Sequence, residues 1–194
     1  MVFMIYLFAY FAGNLLTGVL ISSLFKKGDI RGTGSGNPGA RNAGRLYGKK
    51  AFIFTFLGDA VKAAIVVVVC SIFQLSPSET LFALLLTILG HIKPILFQFK
   101  GGKGISSFIG GILVIEPIMA IFIILGFIIL YPISKSFTIA GLGSFIVIPF
   151  TAYFVFHYTM AEVLLIFLII LIVIAAHQKD IRGYFIKKFT SKNT

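Results

Sequence analysis

Ile105-Ser106-Ser107-Phe108-Ile109-Gly110-Gly111-Ile112-Leu113-Val114-Ile115 is the stretch on which the fold turns. It is apolar enough to enter a bilayer, yet it has only about half of the ~20 residues that a spanning helix needs. If it crosses, the chain ends lie on opposite sides of the membrane. If it dips in and returns, they lie on the same side. The runs around it, Met4–Phe25, Ala51–Phe73, Leu81–Phe99, Ile118–Ile133, Thr138–Phe156 and Met160–Ala176, approach or exceed the spanning length, and Gln178–Thr194 is a polar basic tail. Lysine and arginine decide between the two readings. Residues 26–50 carry Lys26, Lys27, Arg31, Arg41, Arg45, Lys49 and Lys50, and Lys93, Lys100 and Lys103 flank the end of the third run. Lys135 follows the fifth run, and the tail adds Lys179, Arg182, Lys187, Lys188 and Lys192. The alternate connections carry Glu79, Glu116 and Glu162 but no Lys or Arg. The positive-inside rule places the basic connections in the cytoplasm. Seven crossings satisfy it, and six leave the basic tail outside. The expected fold is an all-α polytopic membrane protein with seven transmembrane helices, N-terminus outside and C-terminus cytoplasmic. Its fourth helix then starts near Gly101 and is short, or lies in a locally thin region. Pro117 fits the start of the next helix.

Composition agrees. Of 194 residues 58% are hydrophobic and 12% charged, with a mean hydropathy of +1.03, against roughly 45–50% apolar and ~25% charged in soluble domains. A soluble core is excluded. The net charge of +11 would suggest nucleic acid in a soluble chain, but here the basic residues cluster between apolar runs and report topology and anionic partners, not nucleic acid. Cys70 sits inside an apolar run and reads as a small hydrophobe. The N-terminus lacks a basic n-region and cleavage site, so the first run reads as a retained helix. With no internal repeat and no long linker, residues 1–194 read as a single membrane domain.

Polar residues gather in three clusters on the side assigned to the cytoplasm. The first is Gly34-Ser35-Gly36-Asn37-Pro38-Gly39-Ala40-Arg41-Asn42-Ala43-Gly44-Arg45. Alternating glycines allow successive N–H groups to turn toward one point, a concave nest suited to phosphate. Ser35, Asn37 and Asn42 add donors, and Arg41 and Arg45 add forked positive charge. The second is Gly90-His91 with Phe99-Lys100-Gly101-Gly102-Lys103-Gly104, two lysines among glycines at a helix start. A basic anchor snorkelling to lipid headgroups would not need those glycines. The third is His177-Gln178-Lys179-Asp180, where an ordinary interfacial histidine and a functional one fit equally. Within the helices, Asp59 and Lys62 lie three apart, close enough to form a structural pair that also holds the first loop. Two classes fit: an enzyme acting on a phosphorylated, lipid-soluble substrate, and a transporter for a small anion such as phosphate. A transporter gathers its polar groups near the midplane, often in inverted repeats. Here they gather at one interface, which favours the enzyme.

These clusters resemble the bacterial acyl-phosphate:glycerol-3-phosphate acyltransferases. The likeness rests on residues 34–40 with Asn42 and Arg45, on Gly90-His91 and residues 99–104, and on Asp29, Arg31, Asp59, Lys62 and His177 at matching places. It covers the whole chain. It implies transfer of a fatty acyl group from acyl-phosphate to the 1-hydroxyl of glycerol 3-phosphate at the inner leaflet of the bacterial cytoplasmic membrane, without cofactor or metal; the sequence does not address oligomeric state. An acyl-phosphate is already activated, so no covalent serine intermediate is required. The site must hold two phosphates, and Arg45, Lys103 and His177, with Ser35 and the loop N–H groups, supply charge and donors. Gly34, Gly36, Asn37, Gly39, Arg41, Asn42, Lys100, Gly101, Gly102, Gly104 and Asp180 would line it. The proton acceptor is either His177 or the substrate's own phosphate oxygen. The His-x4-Asp pattern of acyl-CoA-using enzymes is absent, since Leu96, Glu162 and Arg182 stand five residues after His91, His157 and His177.

The chain departs from the family pattern at Arg41 (commonly Thr), at Asp180 (commonly Asn) and after the fifth run, where Ser136 is the only serine of Ser136–Leu142. A divergent paralogue acylating another acceptor is the competing reading. The first two departures cancel in charge, as a guanidinium–carboxylate pair would. A double-mutant cycle with Arg41→Thr and Asp180→Asn is expected to show each single change lowering activity and the double recovering most of it, with a coupling above ~1 kcal/mol. Additive effects would mean that the two residues act independently.

Overall fold

The structure, a computed structural model, describes residues 1–25 and 28–190. Lys26, Lys27 and Lys192, which enter the charge count above, lie outside the described residues. The described chain is helical, in two compact units, Met1–Glu116 and Pro117–Thr194.

In the first unit the expected single helix Met4–Phe25 is two, α1 (Val2–Asn14) and α2 (Thr17–Leu24), bent by 40°. Leu15 and Leu16 between them are extended. No proline causes this break; the groups that hold it open belong to the next long helix. The polar connection is not all loop, because α3 (Ala40–Tyr47) occupies its second half. α4 (Lys49–Ile72) carries an exposed apolar stripe, Phe54, Leu57, Val61, Ile65, Val68 and Ile72, at helical spacing. Its opposite stripe, Thr55, Asp59, Lys62, Ala63, Val66 and Cys70, is buried. Apolar outside and polar within is the pattern expected where lipid, not water, is the solvent. Cys70 is fully buried with Ile5, Ala9, Ala12, Val66 and Ala83, a small apolar residue among others.

α5 (Pro77–Ile92) starts earlier than the apolar run suggests, because Ser76 and Glu79 form a capping box. It ends at Ile92, before Pro94, not at Phe99. α1 and α5 cross closely enough that a Cβ on Gly90 would lie 2.1 Å from the Tyr10 carbonyl oxygen, and one on Gly13 2.1 Å from that of Thr87. α6 (Ile105–Ile115) has eleven residues and starts at Ile105 with Gly104 as its cap, not near Gly101. It packs on α4, where Gly110 sits against the Ala60 carbonyl.

The second unit holds α7 (Pro117–Ser134), α8 (Phe137–Ser144), α9 (Val147–Phe154), α10 (Met160–Ala176) and α11 (Gln178–Thr190). α7 packs on α8 and α9, and α9 on α10. The expected helix Thr138–Phe156 is interrupted at Phe145-Ile146. Pro149 has no N–H for the Phe145 carbonyl, which accepts instead from Ile148 (3.0 Å), and the chain tightens there. Ser136 caps α8, its hydroxyl accepting from Ile139 N–H. Thr159 and Glu162 form a capping box on α10. The basic tail, read as polar chain, is helical to Thr190 and bends 60° from α10. Tyr184 ties it down by donating to the Ser134 carbonyl (2.9 Å).

Four stretches are long and apolar enough to cross a membrane, Lys49–Ile72, Pro77–Phe97, Pro117–Ser134 and Phe137–Phe154, and six are if each bent pair counts as one. Ile105–Ile115 is apolar but shorter. The Gly90 crossing has no slack, since the obstacle is backbone. Gly90→Ala is expected to destabilise the protein by ~1–3 kcal/mol through overpacking. Gly183→Ala, on an exposed face of α11 with open space around it, should be neutral or slightly stabilising. Thermal unfolding in detergent compares them.

Candidate active site

The first polar loop is built from its own side chains. Asp29 caps a 3-10 turn at Ile30–Gly32 by accepting from Arg31 N–H (2.9 Å). The Arg31 guanidinium grips both oxygens of the same carboxylate and so holds the Asp29 pKa below its usual value. Its remaining arm donates to the Phe97 carbonyl (3.0 Å), and its charge lies 5.0 Å from the Phe97 ring centre. Arg31 thereby joins the first polar loop to the second. Ile30 is buried with Ala43 and Ala51 beneath the loop.

A turn follows at Thr33–Gly36, closed by Gly36 N–H donating to the Thr33 carbonyl, with Gly34 at φ +62°. Asn42, fully buried on α3, reaches back to fix it. Its Oδ1 accepts from Ser35 N–H (3.0 Å) and its Nδ2 donates to the Thr33 carbonyl (3.1 Å). Ser35 itself is exposed, as are Arg41 and Arg45, four apart on one face of α3. Like charges at this spacing cost ~0.2–0.5 kcal/mol, and Arg41 in the first turn also opposes the helix dipole. The two guanidinium groups put positive charge on the surface of α3. The Asn37 Oδ1 is buried and has no hydrogen-bond donor among the described residues.

The second loop runs from Lys93 to Gly104. Tyr10 Oη donates to the Lys93 carbonyl (2.8 Å), and Asn14 Oδ1 accepts from Leu96 N–H (3.2 Å), so α1 holds its first half. Gln98 and Phe99 have φ of +55° and +59°, a conformation that costs non-glycine residues on the order of 1–3 kcal/mol each. Phe99 N–H donates to the Pro94 carbonyl and Lys100 N–H to that of Phe97, which hold this strained pair in place. Lys100 is exposed and Lys103 half-buried. Gly101 and Gly102 lie against His91: Gly102 N–H donates to the His91 carbonyl (2.9 Å), and a Cβ on Gly102 would sit 2.0 Å from the ring Nε2.

The sequence presents the N–H groups of Ser35 and Gly102 and the amide of Asn42 as donors for an anion. In the structure all three bond inside the protein, Ser35 and Asn42 within the first loop and Gly102 to the end of α5, so they shape the surface while Ser35, Arg41, Arg45 and Lys100 stand exposed on it.

Beneath the loops lies a buried network. Lys62 and Asp59 pair at 3.0 Å. Lys62 Nζ also donates to the carbonyls of Gly13 (3.1 Å) and Leu15 (2.6 Å), and lies 2.8 Å from His91 Nδ1. Asp59 Oδ1 accepts from Thr17 N–H (3.4 Å) as well. The pair therefore holds the break between α1 and α2, not the glycine-rich loop. The sequence reading missed this break, although Asn14 and Thr17 were visible polar residues inside the first apolar run.

In the second unit, His177 follows α10 and is buried, its Nδ1 2.8 Å from the Val173 carbonyl. With Nδ1–H donating there, Nε2 is the ring nitrogen that carries a lone pair. Asp180 is half-buried in the first turn of α11, where a carboxylate complements the helix dipole. Among the described residues, no three His, Cys, Asp or Glu side chains cluster as metal ligands would.

Residues 3–187 match the family described as Glycerol-3-phosphate acyltransferase. Glycerol-3-phosphate acyltransferase 1 of Bacillus cereus is 43% identical over 171 residues, 88% of this chain and 93% of that protein. The protein of the same description from Desulfitobacterium hafniense is 36% identical, over 90% of this chain and 86% of its own. Among solved structures, PlsY (YgiH), an integral membrane glycerol 3-phosphate acyltransferase in its glycerol 3-phosphate form, superposes with a TM-score of 0.87 at 28% identity, covering 96% of this chain and 92% of that one. Its lysophosphatidic acid form gives 0.85 at 27% identity, with the same coverage. By sequence and by fold, the chain belongs to the glycerol-3-phosphate acyltransferase family.

Proposed function

We propose that this protein transfers a fatty acyl group from acyl-phosphate to the 1-hydroxyl of glycerol 3-phosphate, releasing lysophosphatidic acid and inorganic phosphate. Acyl transfer to glycerol 3-phosphate is the activity for which its relatives are named. The observation that carries the reading in this chain is the first loop: Ser35, Arg41 and Arg45 exposed on a frame fixed by Asn42, which gathers a hydroxyl and two guanidinium groups on one surface.

The hydroxyl oxygen attacks the acyl carbonyl carbon, the bond from that carbon to the phosphate oxygen breaks, and phosphate leaves with the electron pair. The hydroxyl proton passes to Nε2 of His177 or to a phosphate oxygen of the substrate. Arg45 and Lys103 hold phosphate and offset the charge that develops on the leaving oxygen, and Ser35 adds a hydroxyl donor. Arg41, Lys100 and the loop around Gly34, Gly36, Asn37, Gly39, Gly101, Gly102 and Gly104 complete the binding surface. Asn37 Oδ1, buried without a donor among the described residues, suits a hydroxyl of the glycerol moiety.

Residues 1–194 act as a single domain of the bacterial cytoplasmic membrane. It crosses seven times, counting the eleven-residue α6, with the N-terminus outside and the basic loops and tail on the cytoplasmic side. The connections rich in Lys and Arg support this orientation, and the eleven residues of α6 support a locally thin bilayer beside it.

Three experiments test the reading. Purified protein given acyl-phosphate and glycerol 3-phosphate should release phosphate and form lysophosphatidic acid, and other polar acceptors should not substitute. Arg45→Ala, Lys103→Ala and His177→Ala should each lower turnover by an amount equivalent to ~2–4 kcal/mol, as when one donor is lost from an oxyanion site, with the protein still folded. Near-normal rates in all three would place the chemistry elsewhere. For topology, Ser78→Cys and Thr190→Cys in a Cys70→Ser background should label from opposite faces of the membrane; labelling from one face would remove the seven-crossing arrangement.

A further inference from the structure

The Lys62 network has no part in the chemistry above, yet it lies directly under the second loop. An ammonium has three protons, and this one has four acceptors within 3.1 Å: the Gly13 and Leu15 carbonyls, Asp59 Oδ1 and His91 Nδ1. With three protons the ammonium serves three of the four at a time; when it donates to His91 Nδ1, the ring proton stands on Nε2. The contact holds the Nδ1 edge of the ring against Lys62. The Nε2 edge of the same ring is what a Cβ at Gly102 would strike, with Nε2, Cε1 and Cδ2 at 2.0, 2.6 and 2.9 Å. The His91 carbonyl receives the Gly102 N–H at 2.9 Å, so ring and backbone both bear on the residue before Lys103. An uninterrupted apolar helix would serve packing alone. The broken one provides two carbonyls that hold a cation, and the cation holds the histidine.

We infer that Lys62 and His91 are positioning residues: the buried ammonium orients the His91 imidazole, and the imidazole sets the height of the Gly101-Gly102-Lys103 turn against phosphate. The inference rests on the reading of Lys103 as a phosphate ligand. Neither Lys62 nor His91 need touch substrate, and the effect of each passes through the turn.

Acylation of glycerol 3-phosphate by the purified full chain tests it, with kcat and KM measured separately. His91→Asn keeps an oxygen that accepts from Lys62 but removes the ring edge under Gly102. It is expected to unfold at the wild-type temperature while KM for glycerol 3-phosphate rises roughly tenfold and kcat falls less than about threefold. A purely structural role would instead lower the yield of folded protein and leave KM unchanged. Gly102→Ala should raise KM similarly, because its methyl meets the ring, and adding His91→Asn to it should restore part of the loss. The double variant Asp59→Asn with Lys62→Met removes both charges together and should show the same rise in KM. Normal KM in folded His91→Asn overturns the inference, as does failure of His91→Asn to improve Gly102→Ala. If Lys103→Ala keeps a near-normal rate, the assignment of Lys103 fails first. If Lys103→Ala is impaired while His91→Asn is not, only the positioning inference fails.

Discussion

A single ammonium group, Lys62 Nζ, ties α1, α4 and α5 of the first unit together at the break after Asn14. A charge at that depth in a helix is costly, by ~2.5–3.5 kcal/mol at a bilayer centre on insertion scales, and it persists only where every proton has an acceptor. α4 offers one acceptor, Asp59, and α5 another, His91. The others come from opening the first helix at Leu15-Leu16, which releases carbonyls that would otherwise bond within the helix. The bend between α1 and α2 and the burial of His91 meet at this one cation, beside the close crossing of α1 and α5 at Gly13 and Gly90. Removing the lysine alone would leave Asp59 buried and unpaired, which is the more damaging half of breaking a buried ion pair.

Composition and charge made the membrane class legible, and the two glycine-rich motifs made the family legible. The Asp59–Lys62 spacing predicted their pairing but not its partners. A helix break without proline leaves only a weak local signal, here Asn14 and Thr17, because the groups that hold it open lie 47 residues away in Lys62 and further on in His91. The interruption at Phe145-Ile146 had a signal in Pro149. The start of α5 had one in Ser76-x-x-Glu79, where hydropathy alone begins the run at Leu81, and Thr159-x-x-Glu162 marks the start of α10 where hydropathy also put it. The glycines of the second loop show the converse: as residue types they suggested N–H groups turned to a ligand, but Gly102 is small because a histidine ring lies beneath it.

The two departures from the family pattern differ physically. Asp180 has a local account, a carboxylate in the first turn of α11. Arg41 has none: it is a cation in the first turn of α3, one helical turn before another cation, on an exposed face. Its place in the helix is therefore not explained by helix-end electrostatics, whereas that of Asp180 is.

The capping boxes at Ser76–Glu79 and Thr159–Glu162 bear on how the chain is made as well as how it folds. Each closes a helix start with a carboxylate that accepts from its own cap residue's N–H, at 2.8 Å in both. Neither turn contains Lys or Arg. An insertion machinery that reads basic residues to decide which ends stay behind finds nothing there to retain. The anion that a helix start favours is also the charge that this signal ignores, so the two ends are finished for folding without disturbing the order in which the segments are threaded.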